Sequence, residues 1–157
     1  MLRPFAYLVR GALSAFLLAF LAFSSAAAGE MTAIATGPDK VAIKGYDTVA
    51  YFTEGQPARG LEEFSHTWQG AKWWFATAEH RDQFAADPEK YAPRFGGFCA
   101  MGMSLGKQAQ ADPEAWVIVD DKLYLTFSQP ALAKFTVDTP THISKAEAEW
   151  EQAIQGN

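Results

Sequence analysis

Residues 64–75 read Phe64-Ser65-His66-Thr67-Trp68, then Gln69-Gly70, then Ala71-Lys72-Trp73-Trp74-Phe75. Two aromatic-rich runs on either side of a two-residue loop ending in Gly make a β-hairpin, because such loops hold their central residues in the left-handed region. The loop length pairs Trp68 with Ala71, His66 with Trp73 and Phe64 with Phe75 on one face, which sets His66 among aromatics. The pattern recurs in Trp116-Val117-Ile118-Val119, Asp120-Asp121 and Lys122-Leu123-Tyr124-Leu125-Thr126-Phe127. Here Ile118 pairs with Leu123 and Trp116 with Leu125 on the buried face, and Lys122 and Thr126 fall on a wetter one.

Helices are expected between and after the hairpins. Thr77 is an N-cap for Ala78 to Ala86, with Phe84 and Ala85 turned toward the sheet, and Asp87-Pro88-Glu89 opens a second short helix with Pro at its first position. Gly96-Gly97 breaks the chain, a helix follows from Phe98 to about Leu105, and an amphipathic helix over Lys145 to Ile154 aligns Ala146, Trp150 and Ile154. Hairpins interleaved with short helices, without a βαβ rhythm, predict an α+β fold: a small antiparallel sheet of hairpins with short helices packed around it.

The chain has 157 residues, 49% hydrophobic and 20% charged, which suits one compact domain and excludes a disordered chain. Arg3 and Arg10 precede an apolar run from Ala12 to Phe23 and the small residues Ala26-Ala27-Ala28, the pattern of a secretory signal peptide over 1–28. The run is short for a bilayer span of about 20 residues, so no stable membrane span is expected after cleavage. Residues 29–40 read as a polar, turn-rich lead-in and 41–157 as the domain, placed in the periplasm or outside the cell. Cleavage removes two arginines from a chain already at net charge −5, which argues against nucleic-acid binding. A single cysteine, Cys99, rules out an intrachain disulfide framework.

The stretches GYDTVAYFTEG (45–55), FSHTWQGAKWWFATAEHRDQFAADPEKYAPRFGGFCA (64–100) and DPEAWVIVDDKLYLTFS (112–128) resemble the YHS domain family in its exported, stand-alone bacterial form. The resemblance implies a small α+β domain of metal-handling kind, with relatives attached to copper-transporting ATPases and hydroxylase subunits, and it implies no particular reaction. In the metal-binding relatives an aromatic pair is followed by a Cys, by another Cys four residues on, then by a Phe and Pro-x-x-Tyr. Trp74-Phe75, Phe84 and Pro88-Glu89-Lys90-Tyr91 match this frame, while the two Cys positions fall on Ala76 and His80. One ligand is thus absent and the other is an imidazole.

The residues themselves offer two readings of the same chemistry. Cys99 and Met103 are soft donors suited to Cu(I), neighbours at i,i+4 on a helix with Met101 pointing away, and His66 and His80 are the imidazoles that complete a site. Against this, free Cys and helical Met pack as core, His66 fits a sheet face, His80 beside Glu79, Arg81 and Asp82 fits a solvated helix, and His142 falls in a loop. Gly102-Met103-Ser104-Leu105-Gly106 satisfies G-x-S-x-G, but a nucleophile elbow needs a strand-to-helix turn in a parallel sheet, which antiparallel hairpins do not supply. The aromatics Trp68, Trp73, Trp74 and Trp116 with Tyr51, Phe64, Phe75 and Tyr124 either cover core and edges or in part line a groove for an apolar or planar ligand. The expected protein is therefore a small exported binding module, its partner a soft metal such as copper or an envelope protein. A structural or interaction domain without metal is the alternative, and a thiol enzyme using Cys99 the second.

Overall fold

The computed structural model describes residues 33–155; the expected leader over 1–28 and the first part of the lead-in lie outside them. The first half runs β1 (Tyr46–Asp47), α1 (Ala50–Thr53), β2 (Ala58–Arg59), β3 (Leu61–Trp68), β4 (Ala71–Phe75), α2 (Ala78–Ala86) and α3 (Pro88–Tyr91). The second runs α4 (Ala100–Met103), β5 (Asp112–Val119), β6 (Lys122–Thr126), α5 (Gln129–Val137) and α6 (Thr139–Gln155). Strands pair as β1-β2, β3-β4 and β5-β6, each an antiparallel two-stranded sheet, so the α+β class holds. Among the described residues no helix is long and apolar enough to cross a membrane.

Both long hairpins close as the loop chemistry dictates. Gln69 and Gly70, and Asp120 and Asp121, all have positive φ, the signature of a type I′ turn that matches strand twist. Next to the turns the expected pairs form: Trp68 with Ala71, His66 with Trp73, Ile118 with Leu123, Trp116 with Leu125. Farther out a bulge shifts β3, and Phe75 faces Leu61 in place of Phe64. The shift brings Gly60 so close to the β4 backbone at Trp74 that a Cβ would collide with it.

The face of β6 expected to be wet is buried. Leu123 and Leu125 enter one apolar cluster with Val49, Trp73, Phe75 and Phe84, while Tyr124 enters a second with Phe95, Phe98, Met103, Phe135 and Ala146. β6 therefore lies between two cores, and Thr126 is fully enclosed, its hydroxyl directed at the Ala115 carbonyl at 3.1 Å. The enclosing elements are the Arg94–Gly97 turn, α4 and α5, with Phe95 and Phe135 against Tyr124. The long α6 packs on α4 behind them; it starts at Thr139, six residues before the expected Lys145, and takes in His142. Ala146 is buried on α6, but Ile154 is 47% exposed because the core ends before the helix does.

Local caps explain the remaining helices. The Thr77 hydroxyl accepts from the His80 amide, Asp87 from the Lys90 amide, and Pro88 opens α3. On α2 Phe84 is buried but Ala85 is exposed, since one inward position per turn is all that a short surface helix offers. The helix expected from Phe98 to Leu105 contracts to Ala100–Met103, because the Phe98 backbone bridges to Gln110. Ile34 and Ala35, read as lead-in, belong to the fold: Ile34 packs in the first cluster and Ala35 in the second, and the Ala35 amide donates to Gly96 at 2.8 Å.

Candidate functional site

Asp47 ends β1 and is fully buried, as the chain turns into α1. Its Oδ1 accepts from the amides of Val49 at 2.8 Å and Ala50 at 3.3 Å, the geometry of an acidic residue capping a helix start. Its Oδ2 accepts from the amide of Ala76 at 2.8 Å, where β4 ends, and from His80 Nδ1 at 2.6 Å. One carboxylate thus ties α1, β4 and α2 together, with every oxygen lone-pair direction in use.

His80 is therefore not a solvated helix residue. It is 8% exposed, because Thr77 starts α2 at the register that turns position 80, like Phe84 one turn on, toward the core. Facing a carboxylate oxygen that accepts, Nδ1 carries a proton, and whenever the ring is neutral its lone pair falls on Nε2. That nitrogen stands 3.3 Å from Thr53 Oγ1 and 4.0 Å from Glu54 Oε1, both in the exposed end of α1. A buried carboxylate behind an imidazole, with the far nitrogen facing Thr53 and Glu54, is an arrangement also used to orient metal-ligating histidines and fix their tautomer.

The other candidates stand elsewhere. His66, half-buried on β3, meets Phe84 edge-on at a centroid distance of 6.0 Å. Cys99 is 3% exposed and caps α4: its Sγ accepts from the amides of Gly102 at 3.2 Å and Phe127 at 3.1 Å. Met103 follows one turn on and is buried in the second cluster. The Ser104 hydroxyl donates to the Met101 carbonyl at 2.8 Å as a local helix-end bond, and the exposed Asp120 sits in the β5-β6 turn. Among the described residues no group of three or more His, Cys, Asp or Glu side chains is disposed to hold a metal ion.

No family model, no curated protein and no solved structure matches this chain. The site therefore rests on its own geometry. Asp47, Thr53 and Glu54 were not singled out by sequence reasoning, although Asp47, two residues before the apolar run Val49-Ala50-Tyr51-Phe52, carries the signal of a helix cap. The i,i+4 spacing of His80 and Phe84 was the signal that His80 faces inward.

The cap role of Cys99 makes an ordered prediction. Cys99→Ala strands two part-buried amides and is expected to cost about 1–3 kcal/mol, while Cys99→Ser keeps an acceptor of a good N-capping type and is expected to cost less than half of that. Urea unfolding of both variants tests the ordering. Equal losses would mean that the sulfur serves only to fill space.

Proposed function

We propose that this protein is a small, exported binding module of YHS type that takes a metal ion at His80, and that it works as a carrier or sensor of that ion without catalysing a reaction. The observation that carries the reading is the 2.6 Å bond from His80 Nδ1 to the enclosed Asp47 carboxylate, which leaves Nε2 as the outward donor beside Glu54. The soft pair Cys99 and Met103 fits a Cu(I) ion poorly, since the thiol is engaged by two amides and the thioether is buried. Nitrogen and carboxylate oxygen suit a borderline divalent ion, Cu2+ first among the common metals by affinity. His80 and Glu54 would hold it, with solvent or a partner protein filling the open positions, and Asp47 would keep the imidazole in its ligating tautomer.

Titration of the purified chain with Cu2+, followed by electron paramagnetic resonance, is expected to show about one equivalent bound through a single imidazole nitrogen. His80→Gln should abolish that signal, and Glu54→Gln, at a 40% exposed side chain that folding does not need, should weaken binding by about tenfold. Binding that survives His80→Gln unchanged would refute the reading.

The alternative of a structural domain without metal is favoured by one observation: three backbone amides already satisfy Asp47 apart from His80, as in a tie between elements. On that reading His80→Gln and Glu54→Gln leave the Cu2+ spectrum of the wild type unaltered, and only stability changes, in the first variant.

A further inference from the structure

Away from His80, the two apolar clusters part to leave a groove of about 470 Å³, within the roughly 300–1,000 Å³ of small-molecule sites. Ile34 and Trp68 come from the first cluster, Phe95 and Trp150 from the second, and Pro93 and Arg94 from the chain between them. The two tryptophans are half-buried walls held from behind. Trp68 is backed by Trp73 at 5.7 Å and Phe84 at 5.9 Å, and Trp150 by Phe95 at 6.2 Å and Phe98 at 6.4 Å. Rings fixed in this way offer planar apolar area with no rotamer entropy left to lose.

The cation in this lining is Arg94. Its Nη2 stands 3.6 Å from Glu147 and its side chain is 42% exposed, so the outer edge of the guanidinium is open to a ligand. A guanidinium prefers a carboxylate. Glu89 on the same lining disfavours a second negative charge.

We infer that this groove is a binding site for a small planar aromatic monocarboxylate, its ring between Trp68 and Trp150 and its carboxylate on Arg94. The inference is independent of the metal reading.

The probe is 2-naphthoate, compared with the neutral 2-naphthamide of the same shape, titrated into the full-length chain by calorimetry and by NMR of the tryptophan side chains. The expected result is saturable binding of the acid about tenfold tighter than of the amide. Arg94→Gln should bring the acid down to the amide's affinity and leave the amide unchanged. Ile154→Glu, at the exposed rim, should weaken the acid more than the amide without touching the core. Absence of saturable binding, equal affinities for acid and amide, or an Arg94→Gln variant that keeps the preference would each overturn the proposal. Overhauser contacts from Met31 to Trp68 or Trp150 in the free chain would also overturn it, by making the chain's own N-terminal segment the occupant.

Discussion

Gly96→Ala is expected to destabilise the protein by about 3–5 kcal/mol, enough to remove most of a small domain's margin. Gly96 has φ +60°, which an L-residue adopts only with strain, and a Cβ there would drive into the backbone carbonyl of Ala33. Backbone cannot step aside as a side chain can, because the Ala35 amide binds the Gly96 carbonyl at 2.8 Å. Its neighbour Gly97, at φ +83°, leaves room for Ile43 Cδ1, and Ile43 itself is a β-branched residue at φ +50°. Two left-handed turns are thus interlocked through atoms that glycine omits. Gly55→Ala is the control: its φ is +66° but nothing lies within 4 Å of the added carbon. It should cost only the conformational term, about 1 kcal/mol. Urea or thermal unfolding decides between them, and equal losses in the two variants would show that the packing of Gly96 against Ala33 contributes nothing.

The second large effect is expected at Asp47. Asp47→Ala strands three backbone amides and an imidazole N–H around a fully buried side-chain position, a loss of about 3–5 kcal/mol. Asp47→Asn should be nearly as harmful in spite of its matching shape. Turned toward Val49 and Ala50 its NH2 meets two N–H groups, and turned toward Ala76 and His80 it meets one amide N–H and forces the imidazole into its other tautomer. His80→Gln removes one donor and should cost about 1–2 kcal/mol. The order Asp47→Ala, Asp47→Asn, then His80→Gln in falling damage is readable in denaturant midpoints. An Asp47→Asn variant within about 0.5 kcal/mol of wild type would show that the carboxylate is not the tie between α1, β4 and α2.

Where local chemistry acts alone, the residues are enough to read the result. Gln69-Gly70 and Asp120-Asp121 turn the chain within two residues, and the register beside each turn follows from counting. Thr77 and Asp87-Pro88 start their helices through bonds that span three residues. The α+β class itself follows from such short-range signals, because strand and helix periods are written in neighbouring side chains.

Tertiary structure decided what depends on partners far along the chain. Tyr124 and Thr126 alternate with Leu123 and Leu125 as a half-wet strand would, yet both faces of β6 are covered once α4, α5 and the Arg94–Gly97 turn fold over it. Burial on the second face is a property of the elements that arrive, and no periodicity within β6 records their arrival. His80 sits among charged neighbours that suggest solvent, and it turns inward because Asp47, 33 residues earlier, offers the one carboxylate oxygen that meets its Nδ1. Hydrogen-bond partners chosen across such a separation are set by where the packed elements leave a buried donor facing a buried acceptor. Only the folded chain brings them within 2.6 Å.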